Sequence, residues 1–337
     1  MRFTPFRRGR RRTTGVAVRS FGPLGLAARQ RVVAAPGELV VTPPFRSRRH
    51  LPSRLARLRE LDGETTLQLR GHGTEFDSLR DYVRGDDVRS IDWRATARRQ
   101  DLVVRTWRPE RDRRVVVVVD AGRAGAGRVA DEPRLDTFIE SALLLGALAA
   151  AAGDRVDLVV LDDTAHDRVH GATRTDVVQR FGEALAMAEP GLAATDWASV
   201  PALVDSITTS RAMVVLASSL DSVGASGDLL AVLPRLSRRH AVVVTSIEDP
   251  AVQRMARGGV DPATAIRTAR GGRVPGLPTG AERDVYRRAA AERTLLDADG
   301  AADVARRSGA EVVRGAPADV PPLVADAYIR AKATGRL

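Results

Sequence analysis

Arg114-Val115-Val116-Val117-Val118-Val119-Asp120 is the stretch that decides the fold. Five consecutive valines bounded by charge read as a strand covered on both faces. A strand covered on one face would alternate, and β-branched side chains suit a pleated, packed surface. The strand ends at an acid, Asp120. Downstream, Leu135, Phe138, Ile139, Ala142, Leu143 and Gly146 recur at helical spacing over 135–152, with Asp136 near the start and Gly153 at the stop. Residues 155–161 read as a second buried strand, 163–170 as a short edge strand and 175–187 as a helix. Thr195-Asp196 reads as the cap of a helix running to about 208. A third strand over 212–217, a helix over 229–236 and a fourth strand over 240–247 follow. A long helix or helix pair over 281–308, a fifth strand over 310–314 and a helix over 321–333 close the chain. This alternation predicts an α/β, Rossmann-like fold. Its mostly parallel sheet carries helices on both faces, joined by right-handed crossovers. Ligands on such sheets sit outside the carboxyl ends of the strands, so the loop opening at Asp120 is the first place to look.

Upstream, residues 15–19, 32–33 and 38–41 read as short extended pieces, punctuated by Pro36-Gly37 and Pro43-Pro44. Residues 53–62 read as a short polar helix and 65–70 as an alternating run. The chain has 337 residues, 44% hydrophobic and 28% charged, which fits two globular domains or one large one. Aromatics make up only 4%, so the core is built from Ala, Val and Leu. Without cysteine, disulfides, thiolate metal sites and cysteine nucleophiles are excluded. Five histidines without an HExxH pattern argue against catalytic zinc. The most apolar stretch, 142–153, falls short of the roughly 20 residues that a membrane helix needs. With no signal-peptide core at the N-terminus either, a cytoplasmic location is expected.

The net charge is +11, but residues 1–60 hold fifteen arginines against Glu38 and Glu60 and alone contribute +13. The basic character belongs to that segment. Arginine outnumbers lysine 52 to one, the one being Lys332. The run Arg7-Arg8-Gly9-Arg10-Arg11-Arg12 is either a polyanion contact or a solvated basic loop. With only Phe3, Phe6 and Phe21 nearby for stacking, no specific nucleic acid is expected. Association of residues 1–31 with an anionic membrane surface is the other polyanion reading.

Between these regions lies Gly71-His72-Gly73-Thr74-Glu75-Phe76-Asp77-Ser78-Leu79-Arg80-Asp81-Tyr82. It continues as Gly85-Asp86-Asp87-Val88-Arg89-Ser90-Ile91-Asp92-Trp93-Arg94-Ala95-Thr96-Ala97-Arg98, then Leu102-Val103-Val104-Arg105 and Glu110. Acids and arginines interleave at spacings that favour bidentate pairs. Two readings follow: a recognition face for a partner, carried by Glu75, Arg80, Asp86, Asp87, Arg89, Asp92, Trp93 and Arg98, or a buried ionic network joining this segment to the sheet. The pattern closely resembles that of the bacterial domain-of-unknown-function 58 family, and the tail from Asp326 through Tyr328 and Lys332 to Leu337 looks like that family's C-terminus. The resemblance covers about residues 20–337. It implies a von Willebrand factor A-like domain preceded by a smaller β-rich segment. Family members often carry two membrane helices and a β-sandwich upstream. Many are encoded beside MoxR-type AAA+ ATPases, and act with them in protein assembly, maturation or cell-envelope processes. No enzymatic activity is established for the family. The expected organisation is a basic β-rich segment over 1–52, a linker and motif segment packing on the sheet over 53–114, and the A-like domain over 115–337.

In von Willebrand A domains a divalent cation sits on an Asp-x-Ser-x-Ser loop, with a Thr from a second loop and an Asp from a third. Here the first loop reads Asp120-Ala121-Gly122-Arg123-Ala124, with Gly122 and Ala124 in the serine positions. Thr195 or Asp196 stands for the second loop. Ser219 falls where the third-loop Asp belongs, with Asp221 two residues late. Hard cations need several convergent oxygens, so no metal cofactor, magnesium or calcium, is expected at Asp120. Asp120 is expected instead to cap loop amides beside Arg123. Gly122, Gly125 and Gly127 lack the GxGxxG spacing and a following Gly-Lys-Ser/Thr, and no GxSxG elbow exists. His166 and His170 read as surface residues on an edge hairpin, and His72, between Gly71 and Gly73, reads either as a point of close approach for a partner or as turn geometry alone. The expected function is a non-enzymatic scaffold or adaptor for a MoxR-type AAA+ ATPase, using either the strand-end surface (Asp120, Arg123, Thr195, Asp196, Ser219, Asp221) or the motif face. The alternatives are a metal-dependent A-domain ligand contact, a nucleic-acid tether, or an enzyme acting on nucleotides or peptides.

Overall fold

The computed structural model describes residues 5, 7–68, 75–83, 87–108, 113–258 and 280–337. It opens on an antiparallel hairpin, β1 (Gly9–Phe21) and β2 (Ala28–Val41). A 3-10 turn at Arg46–His50 leads into α1 (Leu51–Gln68). β3 (Glu75–Asp81) pairs antiparallel with β4 (Val103–Arg108), and α2 (Trp93–Arg99) lies between them. The α/β unit then runs through β5 (Arg114–Asp120), α3 (Arg123–Ala126), the two-residue strands β6 (Arg128–Val129) and β7 (Glu132–Pro133), α4 (Arg134–Ala151), β8 (Arg155–Leu161) and β9 (Ala165–Ala172). It continues with α5 (Val177–Met187), α6 (Val200–Ile207), β10 (Met213–Ala217), α7 (Gly227–Ser237), β11 (Ala241–Ile247) and α8 (Pro250–Ala256). α9 (Gly280–Arg307), β12 (Glu311–Gly315) and α10 (Val320–Ala333) end it.

The sheet has six strands in the order β12-β11-β10-β5-β8-β9, all parallel except β9, which pairs antiparallel to β8. The five-valine strand is at its interior, as its doubly apolar character requires. Val115, Val117 and Val119 face a core shared with α1, α4, α5 and α10. Val116 and Val118 face the other core, under α6, α7 and α9. Each such side chain removed from water contributes about 1.5–3 kcal/mol. From β5 the chain moves outward to β8 and β9, then crosses back to β10 on the opposite side of β5. The switch point of the sheet therefore lies between β5 and β10, and their carboxyl ends open the crevice where such sheets hold ligands.

α4 is apolar on nearly every side because it is covered by the sheet, α1, α5 and α10. Gly146 lets α5 approach: a Cβ there would lie 2.9 Å from the Phe181 ring. Gly153, at φ +82°, ends the turn after α4 as its position in the sequence implies. At that end Tyr328 Oη donates to Asp154 Oδ2 at 2.5 Å, and Lys332 Nζ lies 3.5 Å from Asp154 Oδ1. Burial raises the Asp154 pKa, while Lys332 and Tyr328 pull it down. Along the helix, the buried Glu140 accepts from the Arg46 and Ser47 amides and the Ser47 hydroxyl, pinning the incoming chain to α4.

Several local expectations are corrected. The N-terminal pieces form one continuous hairpin of 13- and 14-residue strands. Pro36 sits inside β2, where the register shifts between Thr13 and Gly15, a bulge that tolerates its missing N–H. The alternating run that begins at residue 65 is helical through Gln68. Leu51, Leu55, Leu58 and Leu61 anchor α1 on the main core, and that packing carries the helix past weak strand propensity. Asp196 stands at the N-cap position of a 3-10 turn, Trp197–Ser199, that runs directly into α6 with its C-cap at Thr208, but no side-chain cap bond forms at either start. The 281–308 segment is one helix, α9. Among the described residues no helix is long and apolar enough to cross a membrane.

Candidate functional site

The parallel register sets Ala217 beside Val119, so the next residues, Ser218 and Asp120, leave β10 and β5 side by side. Asp120 is fully buried. Its Oδ1 accepts from Thr195 Oγ1 at 2.5 Å and the Gly122 amide at 2.9 Å, and its Oδ2 accepts from Ser218 Oγ at 2.5 Å. Desolvation raises the Asp120 pKa. The Ser218, Thr195 and Gly122 donors oppose this, and the nearby Asp162 charge adds to it. Three loops are thereby tied to one carboxylate. The second loop is also held by its backbone: Arg123 N donates to Ala193 O at 2.8 Å, Gly191 N to Ala121 O at 2.6 Å and Asp196 N to Asp162 O at 2.7 Å. Ser218 is further clamped to β11, since Thr245 Oγ1 donates to its carbonyl at 2.7 Å.

The loop does not fit the divalent cation that the family resemblance implies. Gly122 and Ala124 bring no side-chain oxygen. A Cβ built on Gly122 would fall inside contact distance of Thr195 Oγ1 and 3.0 Å from the Ala193 carbonyl oxygen, so the second loop fills the space that a serine would need. Asp221 is engaged elsewhere, with its Oδ2 2.8 Å from Arg134 Nη1 at the start of α4. Ser219 Oγ reaches Asp221 Oδ1 at 3.4 Å. Among the described residues, no group of three or more His, Asp or Glu side chains is placed to hold a metal.

Of the strand-end residues picked from sequence, Asp120, Gly122 and Thr195 meet directly, while Ser219 and Asp221 sit on the adjoining rim. Arg123 is exposed and does not satisfy Asp120, correcting that expectation: three neutral donors do so instead. Asp196 is exposed beside the site, and Ala124 is half-buried. Ser218 and Arg134 were missed. Ser218 is found only by aligning β10 against β5, which sequence spacing does not supply. Arg134 is one arginine among 52 until α4 aims it at the rim.

In the motif segment, Asp87 accepts from the Arg89 amide at 3.0 Å, and Asp92 accepts from the Arg94 and Ala95 amides, each at 3.0 Å. Both are N-caps. Asp92 also meets Arg105 at 2.8 Å, and the Ala95 amide followed by Arg105 holds its pKa down. Arg80, Arg89 and Arg98 are exposed. Trp93 is 65% exposed, and Val83, Val88 and Leu102 are exposed with it. Glu75 begins β3. Asp86, His72 and Glu110 lie outside the described residues.

No curated protein matches the chain. Among solved structures it is similar to the conserved hypothetical protein BatB from Bacteroides thetaiotaomicron, at 13% identity, over 66% of this chain and 99% of that one, with a TM-score of 0.40. A family model, described as a protein of unknown function, DUF58, matches residues 78–294, and with nearly two thirds of its length so matched the chain belongs to the DUF58 family.

Proposed function

We propose that this protein is a non-enzymatic interaction scaffold. In this reading, a von Willebrand A-like domain over 115–337 works without its cation, and the motif segment over 53–114 offers the docking face. The observation that carries it is the closure of the strand-end crevice: Asp120 spends its acceptors on Gly122, Thr195 and Ser218, and Asp221 is balanced by Arg134. A buried acid so engaged is a poor base and a poor metal ligand. The exposed indole of Trp93 has the amphipathic make-up that interfaces use as an anchor. The partner in this reading is a MoxR-type AAA+ ATPase, as the family resemblance implies.

The test has two readouts. Thermal unfolding is compared with Mg2+, Mn2+ or a chelator; a ligand that binds only the native state must raise stability. No metal-dependent shift is expected, and a clear one overturns the cation-free reading. Pull-down of such an ATPase is then compared for the parent and Trp93→Ala. Retention by the parent and loss in the variant supports the docking face. Equal capture by both, or by neither, removes it.

A further inference from the structure

The β1–β2 hairpin is exposed along most of its length. Its base is held to the body, with Arg8 reaching Asp136 and the Ala188 carbonyl oxygen. Its far end is different in character. From Phe21 to Ala28 the sequence reads Phe-Gly-Pro-Leu-Gly-Leu-Ala-Ala, eight residues without a charge or a polar side chain. Phe21 is 66%, Leu24 81% and Leu26 88% exposed, although apolar groups this large are ordinarily buried. Gly22 N donates to Ala27 O and Gly25 N to Gly22 O, each at 2.9 Å, so the loop is a closed turn that meets its own backbone needs. Behind it Arg19, Arg29 and Arg31 form a collar. The register pairs Arg19 with Gln30 and Phe21 with Ala28, setting the collar about 7 Å behind the first apolar pair.

We infer that this tip inserts into the interfacial layer of a bilayer bearing anionic headgroups, with the arginine collar on the phosphates. The depth fits: apolar groups of interfacial segments sink about 5–10 Å, and cationic side chains flank them. The charge fits as well. Between residues 13 and 37 there is no acidic side chain, and Arg29 and Arg31 pair with none among the described residues. A second copy laid on the arm would bring like charges together. A nucleic acid would leave Leu24 and Leu26 without a counterpart, and Phe21 is the arm's one aromatic.

The full chain is tested by flotation with vesicles of phosphatidylcholine alone or with about 30% phosphatidylglycerol, at low and high salt. Binding to the anionic vesicles is expected, weakened by salt. Arg29→Gln with Arg31→Gln should lower partitioning roughly 30-fold at low salt. Leu24→Asp with Leu26→Asp should abolish it. Because the chain has no cysteine, Leu24→Cys carries a polarity-sensitive thiol dye at a unique site, with Arg238→Cys as the control. A blue shift at 24 and none at 238 supports insertion. Flotation that survives the double aspartate change overturns it, as surface adsorption through the remaining arginines. So does a change in oligomeric state on that substitution without vesicles, which assigns the tip to a second copy. An absence of flotation overturns it too.

Discussion

Gly122→Ala puts the closed strand-end loop to a quantitative test. Gly122 has φ −79° and ψ −158°, a conformation that alanine adopts freely. On backbone grounds the change should stabilise the protein by about 0.4–1 kcal/mol, through a less disordered unfolded chain. The added methyl, however, meets Thr195 Oγ1 and the Ala193 carbonyl oxygen. Overpacking of this kind costs about 1–3 kcal/mol. Displacing Thr195 also leaves buried Asp120 one donor short, a further loss of about 1–3 kcal/mol. The net expectation is a destabilisation of about 3 kcal/mol, read as a lowered urea midpoint with an unchanged slope. Thr195→Ala alone should cost about 1–3 kcal/mol through the lost donor. The double change should then cost clearly less than the sum, because the methyl fills space that the threonine has vacated. If Gly122→Ala is as stable as the parent, the second loop does not close on the first, and the argument for a filled cation site fails with it.

Other consequences can be checked on the same protein. Burial raises the folded pKa of Asp120 above its unfolded value, so protonation favours the folded state: that stability is present below about pH 4 and lost as pH rises through the folded pKa. Asp120→Asn should remove this dependence, so that parent-minus-variant stability falls from pH 4 to 7; a difference that rises refutes the assignment. Tyr328→Phe strips a donor from buried Asp154 and should cost about 1–3 kcal/mol in urea unfolding, with no loss expected only if that bond is absent. Trp93→Ala should leave unfolding within about 0.5 kcal/mol of the parent, because the indole is already in water; a larger loss would make it structural.

The interior of the sheet was legible because β5, β8, β10 and β11 are buried on both faces and so written largely as runs of Val, Leu and Ala. Asp120 was legible for the same reason, as the first charge after such a run. The remainder of the site was not. Ser218 reaches Asp120 through strand register, and Arg134 reaches Asp221 through the direction in which α4 enters. Both are three-dimensional relations between residues 98 and 87 positions apart. In the motif, alternating charges suggested ion pairs, and Asp92 does pair with Arg105 through Oδ2, yet its Oδ1 and the Asp87 carboxylate accept from amides two and three residues ahead. Capping and pairing draw on the same residue types, and only backbone conformation separates them. The hairpin was read as fragments because Pro36 and Gly37 interrupt it in sequence, whereas the bulge absorbs them in space.

The cluster at the end of α4 has a practical consequence for finding partners. Lys332 is the chain's one lysine, and its side chain is 7% exposed, held at Asp154 and 5.9 Å from the centre of the Tyr328 ring. Amine-directed reagents thus meet a surface with no reactive side chain, leaving only the terminal amine. Cross-linking maps built on lysine esters will return almost nothing for this protein even when a complex is present. Carboxylate- or arginine-directed linkers, or a cysteine introduced into the cysteine-free background, will report it. The same scarcity turns one-site labelling or oriented immobilisation through the N-terminus into a matter of mixing.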